Sequence, residues 1–144
     1  MARKDQNYII DLCDALLKMK AKREHTFDFL RGDPSPKFPK GKKLPVDAFY
    51  PSIDFVIEFE ESHHSKPVKI FDKIDVKTVS GVNRAEQRIK YVELRKKILP
   101  KQNIKLLFFQ FDEFELKGKR LKRNGEKDIE VVRKRFQQFI NKNE

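Results

Sequence analysis

Apolar residues recur along this chain at two different periods, and the switch between them marks out its elements. Ile9, Leu12, Leu16 and Met19 fall three and four residues apart with charges between them, which predicts an amphipathic helix over 6–22. "HTFDFL", 25–30, alternates and predicts a short strand. "LPVDAFYP" and "SIDFVIEFEE" predict two further strands, joined by a hairpin turning near Pro51 and Ser52. In the second of these, Phe55, Ile57 and Phe59 share one face, and Asp54, Val56, Glu58 and Glu60 the other. Residues 62–82 follow neither period. "NRAE", 83–86, has the form of a capping box opening a helix that runs to about Leu99, where Pro100 stops it. Ile89, Val92, Leu94 and Ile98 are its apolar positions. "NIKLLFFQF", 103–111, reads as a buried strand. A last amphipathic helix covers about 127–142 through Ile129, Val132, Phe136, Phe139 and Ile140. Without any internal repeat, the order helix, three strands, helix, strand, helix predicts a mixed α/β sandwich.

Composition places these elements in one domain. The 144 residues are enough for a single core and too few for two ordinary ones. Equal hydrophobic and charged shares, 38% each, describe a soluble globular chain, and no apolar run approaches a membrane span. The spaced apolar residues of the N-terminal segment argue against a secretory signal. Cys13, the single cysteine, rules out an internal disulfide and a cysteine-rich zinc site, and fits a reducing, cytoplasmic setting.

Charge narrows the choice of partner. Lys and Arg number 33 against 22 Asp and Glu, and the net charge of +11 suggests a polyanion. The charge is also sorted along the chain. "KFPKGKK" at 37–43 and "KGKRLKRNGEK" at 117–127 are basic loop segments, while carboxylates crowd into 54–61. Residues 31–43 hold three Pro, two Gly and five basic residues, so they predict a loop without a packed element, either functional or mobile.

The crowded carboxylates need a physical reason. Glu58 and Glu60 lie two residues apart on one strand face, about 7 Å from each other. At an effective dielectric near 20 they repel by roughly 2 kcal/mol, and burial adds a desolvation cost. A divalent cation is the simplest compensation, and carboxylate oxygens suit Mg²⁺, with Mn²⁺ as a substitute. The hairpin brings Asp47 beside Glu58. Three carboxylates in a basic chain predict metal-assisted cleavage of a phosphodiester, in which the metal activates a water and basic loops hold the flanking phosphates. A His-pair zinc site is not supported, because His25 is the only histidine besides His63 and His64.

With these residues in view, "LPVDAFYPSIDFVIEFEESHH" resembles the core of PD-(D/E)XK nucleases, particularly the compact branch related to very-short-patch-repair endonucleases. In that pattern Asp47 matches the first acidic residue, Glu58 the second, Glu60 the third catalytic position and His64 the closing histidine. Gln87 and Tyr91 reproduce a Q-x-x-x-Y spacing of the superfamily. The resemblance covers about 25–110. It implies a restriction-endonuclease-like mixed sheet flanked by helices, an α-β-β-β-α-β core followed by a C-terminal helix. Two positions depart from the pattern: Glu60 stands where Lys is usual, as in an E-x-E version among restriction enzymes, and Glu61 replaces the usual Gly. Lys66 and Lys90 are the candidates to supply the missing cation.

The resulting expectation is a Mg²⁺-dependent DNA endonuclease, of type II restriction-like action, leaving a 5′-phosphate. Asp47 and Glu58 ligate metal, and Glu60 ligates it or orients the water. His64 or His63 donates a proton or contacts phosphate, and Gln87 and Tyr91 touch metal waters or DNA. Lys40, Lys42, Lys43, Lys66, Arg84 and Arg88, with Arg95, hold the phosphates of double-stranded DNA. Asp11 and Asp14 are read as an ordinary polar helix face. Loops 31–43 and 62–82 would read sequence. A double-strand break would require a homodimer, at least on DNA, for which helix 127–142 is the nominated surface, although packing on its own sheet explains that stripe more simply. The alternatives are a repair or homing nicking enzyme, a non-catalytic nucleic-acid-binding module, and a basic structural protein bound to RNA.

Overall fold

Two apolar clusters, one on each side of a four-stranded sheet, organise the chain. The computed structural model describes residues 3–60 and 84–143, without the side chains of Arg84 and Asn143. Glu61, His63, His64, Lys66, the Asn83 cap and the whole of 62–82 lie outside the described residues.

Helix α1 spans Arg3–Leu17 and buries Ile9, Ile10 and Cys13. It ends earlier than its periodicity predicts. The chain turns left-handed at Lys18 (φ 55°), and the Asp14 carboxylate accepts the Ala21 amide at 3.1 Å, which draws the backbone away from the helix axis. Strand β1 follows at Lys22–His25, three residues before the predicted position. "HTFDFL" itself turns, with the Leu30 amide bonded to the Phe27 carbonyl at 3.2 Å. Its alternating rings gather instead into a stack of His25, Phe27, Phe29 and Phe49.

Strands β2 (Val46–Tyr50) and β3 (Phe55–Glu60) form the predicted hairpin. Its turn is a 3-10 segment begun by Pro51 and closed by Asp54 in the left-handed region (φ 48°, ψ 55°). Helix α2, Arg84–Lys101, carries the chain over to β4, Lys105–Gln110, which lies parallel to β3. Parallel neighbours need such a crossover. Pro100 falls inside the last turn of α2 rather than after it, where its missing N–H forfeits only one terminal bond. A small hairpin, β5 (Leu116–Lys117) and β6 (Arg120–Leu121), occupies part of what the sequence suggested was only basic loop. Gly118 (φ 65°) makes its turn. Helix α3, Gly125–Asn143, completes the chain.

The sheet order is β1-β2-β3-β4, so β3 is central and its first four residues are buried. Phe55, Ile57 and the partly buried Phe59 join α1 and α3 in one cluster, and Val56 joins Leu94, Ile98 and Leu99 of α2 in the other. Each fully buried side chain of this kind contributes about 1.5–3 kcal/mol. The α3 stripe is largely used up on its own sheet: Val132 is buried, Val131, Phe136 and Phe139 pack on the core, and Ile140 is left exposed. The protein is thus an α/β fold with a mixed sheet flanked by helices. Among the described residues no helix is long and apolar enough to cross a membrane.

Candidate active site

The β2–β3 register pairs Ala48 with Ile57, and one step further along it Asp47 comes opposite Glu58. Both side chains take the sheet face that α2 covers, the face of Phe49 and Val56. Asp47 does not continue the backbone ladder; its Oδ2 accepts the Phe59 amide at 2.8 Å, so a side chain takes the place of a strand carbonyl. Glu58 is 5% exposed. Burial first, then the charge of Asp47 and a hydrogen bond shared with it, push the Glu58 carboxyl well above the usual range, and Arg95 pulls in the opposite direction.

Arg95, in the middle of α2, is the cation that meets this pair. Its Nε lies 3.3 Å from Glu58 Oε1. The two atoms are too poorly aligned for a hydrogen bond, and each is buried without one. The misalignment has a cause: the guanidinium is held by backbone carbonyls, Nη2 on Pro45 at 2.9 Å and Nη1 on Tyr91 at 3.3 Å. Its charge reaches Glu58, but both Nη groups are committed to backbone carbonyls and Nε is left without an aligned acceptor. Arg95, expected either to contact phosphate or to be solvated charge, instead lies against Glu58. The signal was present, since Gln87, Tyr91 and Arg95 recur every four residues and so share one helix face.

Glu60 is on the expected face and half-buried, but it accepts from Gln110 Nε2 at 3.0 Å, across the β3–β4 pair. Among the described residues no three His, Cys, Asp or Glu side chains converge closely enough to hold a metal ion. Two of the three predicted carboxylates are brought together and the third is engaged by its neighbouring strand. Lys90 is not the cation of this site, because it bonds Asp33 Oδ2 at 2.7 Å. Gln87 donates to Tyr91 Oη at 3.3 Å, and that hydroxyl also receives the Asp33 amide at 3.2 Å, so the pair anchors loop 31–43. Asp14, expected on an ordinary polar face, is instead a structural acceptor: it takes the buried Tyr50 hydroxyl at 2.7 Å and Arg23 at 3.0 Å. Asp11 accepts from the same Arg23 at 2.6 Å.

Lys40, Lys42 and Lys43 stand exposed on loop 31–43, with Lys43 2.7 Å from Asp28. The loop is better built than its composition suggests. Arg31 and Lys43 form a β-bridge, Gly32 N bonds Lys42 O at 2.9 Å, and Leu44 N bonds Leu30 O at 2.9 Å. Comparison with known proteins yields no match to a family model, to a curated protein or to a solved structure.

Proposed function

We propose that this protein is a metal-dependent nuclease of the restriction-endonuclease-like type, acting on DNA. The observation that carries the reading is the cross-strand pair of a half-buried Asp47 and a buried Glu58 on the sheet face under α2, in a chain of net charge +11. The reading is supported by the strand order, by the motif resemblance over 25–110, and by the electrostatic load on Glu58 in the carboxylate pair that the motif contains. Asp47 and Glu58 are a donor set suited to Mg²⁺, a hard cation that takes one or two protein carboxylates and completes its shell with water and phosphate oxygens. Such an ion would activate a water and neutralise charge on the phosphate. On this reading Glu60, bonded to Gln110, would orient a water rather than ligate, and Arg95 would keep positive charge beside Glu58.

A second reading has an observation of its own. Arg95 already offsets the charge of Glu58, and two carboxylates rather than three converge, so a nucleic-acid-binding module without catalysis is the competitor. Incubating the protein with supercoiled plasmid and Mg²⁺ separates the two. The nuclease converts it to nicked, linear or fragmented forms and stops in excess chelator; the binding module retards the plasmid and leaves it supercoiled. Discrete linear products would favour restriction-like action by a homodimer, and nicked circles alone a repair or homing nickase.

A further inference from the structure

Phe38 presents a contradiction. It is 38% exposed, yet both its backbone amide and its carbonyl are hydrogen-bonded within loop 31–43. Its amide donates to Ser35 Oγ at 3.1 Å, and its carbonyl accepts from Ser35 N at 2.9 Å and Gly41 N at 2.8 Å. Gly41 adopts φ +84°, and a Cβ there would stand 2.0 Å from the Gly32 carbonyl oxygen. Gly32 in turn lies against the Tyr91 hydroxyl, 2.6 Å from where a Cβ would sit. The loop is therefore closed by contacts that only glycine allows, and its tip offers an aromatic ring to solvent.

Beside the ring is a cavity of about 370 Å³, lined by Gly32, Ser35, Phe38, Leu44, Gln87 and Tyr91 among others. That is within the range of small-ligand sites, roughly 300–1,000 Å³. Lys37 and Lys42 reach over the ring with their ammonium groups 5.7 and 6.0 Å from its centre. Both distances are near the outer limit of a cation–π contact, about 6 Å, so neither lysine is committed to the ring. An exposed ring with two cations within about 6 Å of its centre matches the two parts of a nucleotide, a flat base and an anionic phosphate.

We infer that Phe38 is a stacking platform for an unpaired nucleobase, with Lys37 and Lys42 holding its neighbouring phosphates. This rests on the nucleic-acid reading above and adds to it the state of the nucleotide that is bound, single-stranded or extruded from a duplex. Tyr91 links the platform to the carboxylates: it contacts the loop through its hydroxyl, and its carbonyl bonds the Arg95 that meets Glu58. A duplex in regular stacking offers no free base face, so the inference predicts a preference for frayed, mismatched or single-stranded substrate.

The test uses the full chain, excess chelator to prevent cleavage, and a single-stranded oligonucleotide carrying one 2-aminopurine. Wild type should change the 2-aminopurine fluorescence on binding, and Phe38→Ala should lose that change and bind about tenfold more weakly. Phe38→Leu keeps the apolar volume without the π-face and should behave like Phe38→Ala, while Phe38→Tyr should behave like wild type; melting curves confirm that each variant is folded. If Phe38→Leu retains both the fluorescence change and the affinity, the stacking inference is overturned and the nuclease reading stands. If wild type binds no nucleic acid at all, both are overturned.

Discussion

Glu58 ties stability to pH through its burial. The folded state raises the affinity of this carboxyl for its proton, with burial the largest cause and Asp47 the next. Between the ordinary carboxylate value and the folded one, the native chain keeps a proton that the unfolded chain has released. Stability must then fall as pH rises through that window. Glu58→Gln removes this titration, so its melting temperature should decline less than that of wild type between pH 5 and pH 8, with a net gain on the order of 1 kcal/mol at the upper end. Thermal melts at the two pH values check it. Arg95→Met should do the reverse, leaving a buried carboxylate without its cation at a cost of about 3 kcal/mol near neutral pH. In a Glu58→Gln background that loss should shrink, and a double-mutant cycle by urea denaturation measures the coupling. Much of this site was legible in the sequence. The spacing from Asp47 to Glu58 implied a cross-strand pair, because a tight hairpin fixes its own register. The fate of Glu60 was not legible, since its partner Gln110 is 50 residues away. Nothing local fixes the register between two parallel strands.

Loop 31–43 makes a sharp prediction for an element that the sequence left without structure. Gly41→Ala would place a methyl group on backbone oxygen at a positive φ, so it should destabilise the protein by about 2 kcal/mol or more, read as a lower urea midpoint. Sequence composition showed the prolines and glycines but not the contacts that close the loop, which depend on Tyr91, 50 residues or more downstream. The helices were the most legible elements, because their stripes cover a sheet whichever way it is connected. Boundaries were less so. Helix α1 stops where Asp14 recruits the Ala21 amide, a tertiary arrangement completed by Tyr50 on another strand. The pattern of "HTFDFL" is a valid strand pattern whose rings found a better arrangement stacked on Phe49.

For the whole molecule, the proposed site makes stability depend on divalent cations. A cation that binds the native pair and not the unfolded chain stabilises by mass action, about 1.4 kcal/mol at tenfold its dissociation constant. Millimolar Mg²⁺ or Mn²⁺ should therefore raise the melting temperature of wild type and leave that of Glu58→Ala unchanged. The proposed nuclease reading also sets an expectation for oligomeric state. A single such site would cleave one strand per event, so linear product at a fixed site would require two copies on the duplex, which sedimentation with and without DNA detects. The α3 stripe offers little for that purpose, as only Ile140 among its large apolar residues stays exposed. The most direct test of the account is cleavage by Glu58→Ala, compared with wild type on the same plasmid in Mg²⁺, with DNA binding followed in parallel. The account predicts that the variant binds DNA as well as wild type and does not cut. A variant that cuts at the wild-type rate, or a wild type that cuts equally well in excess chelator, would contradict it.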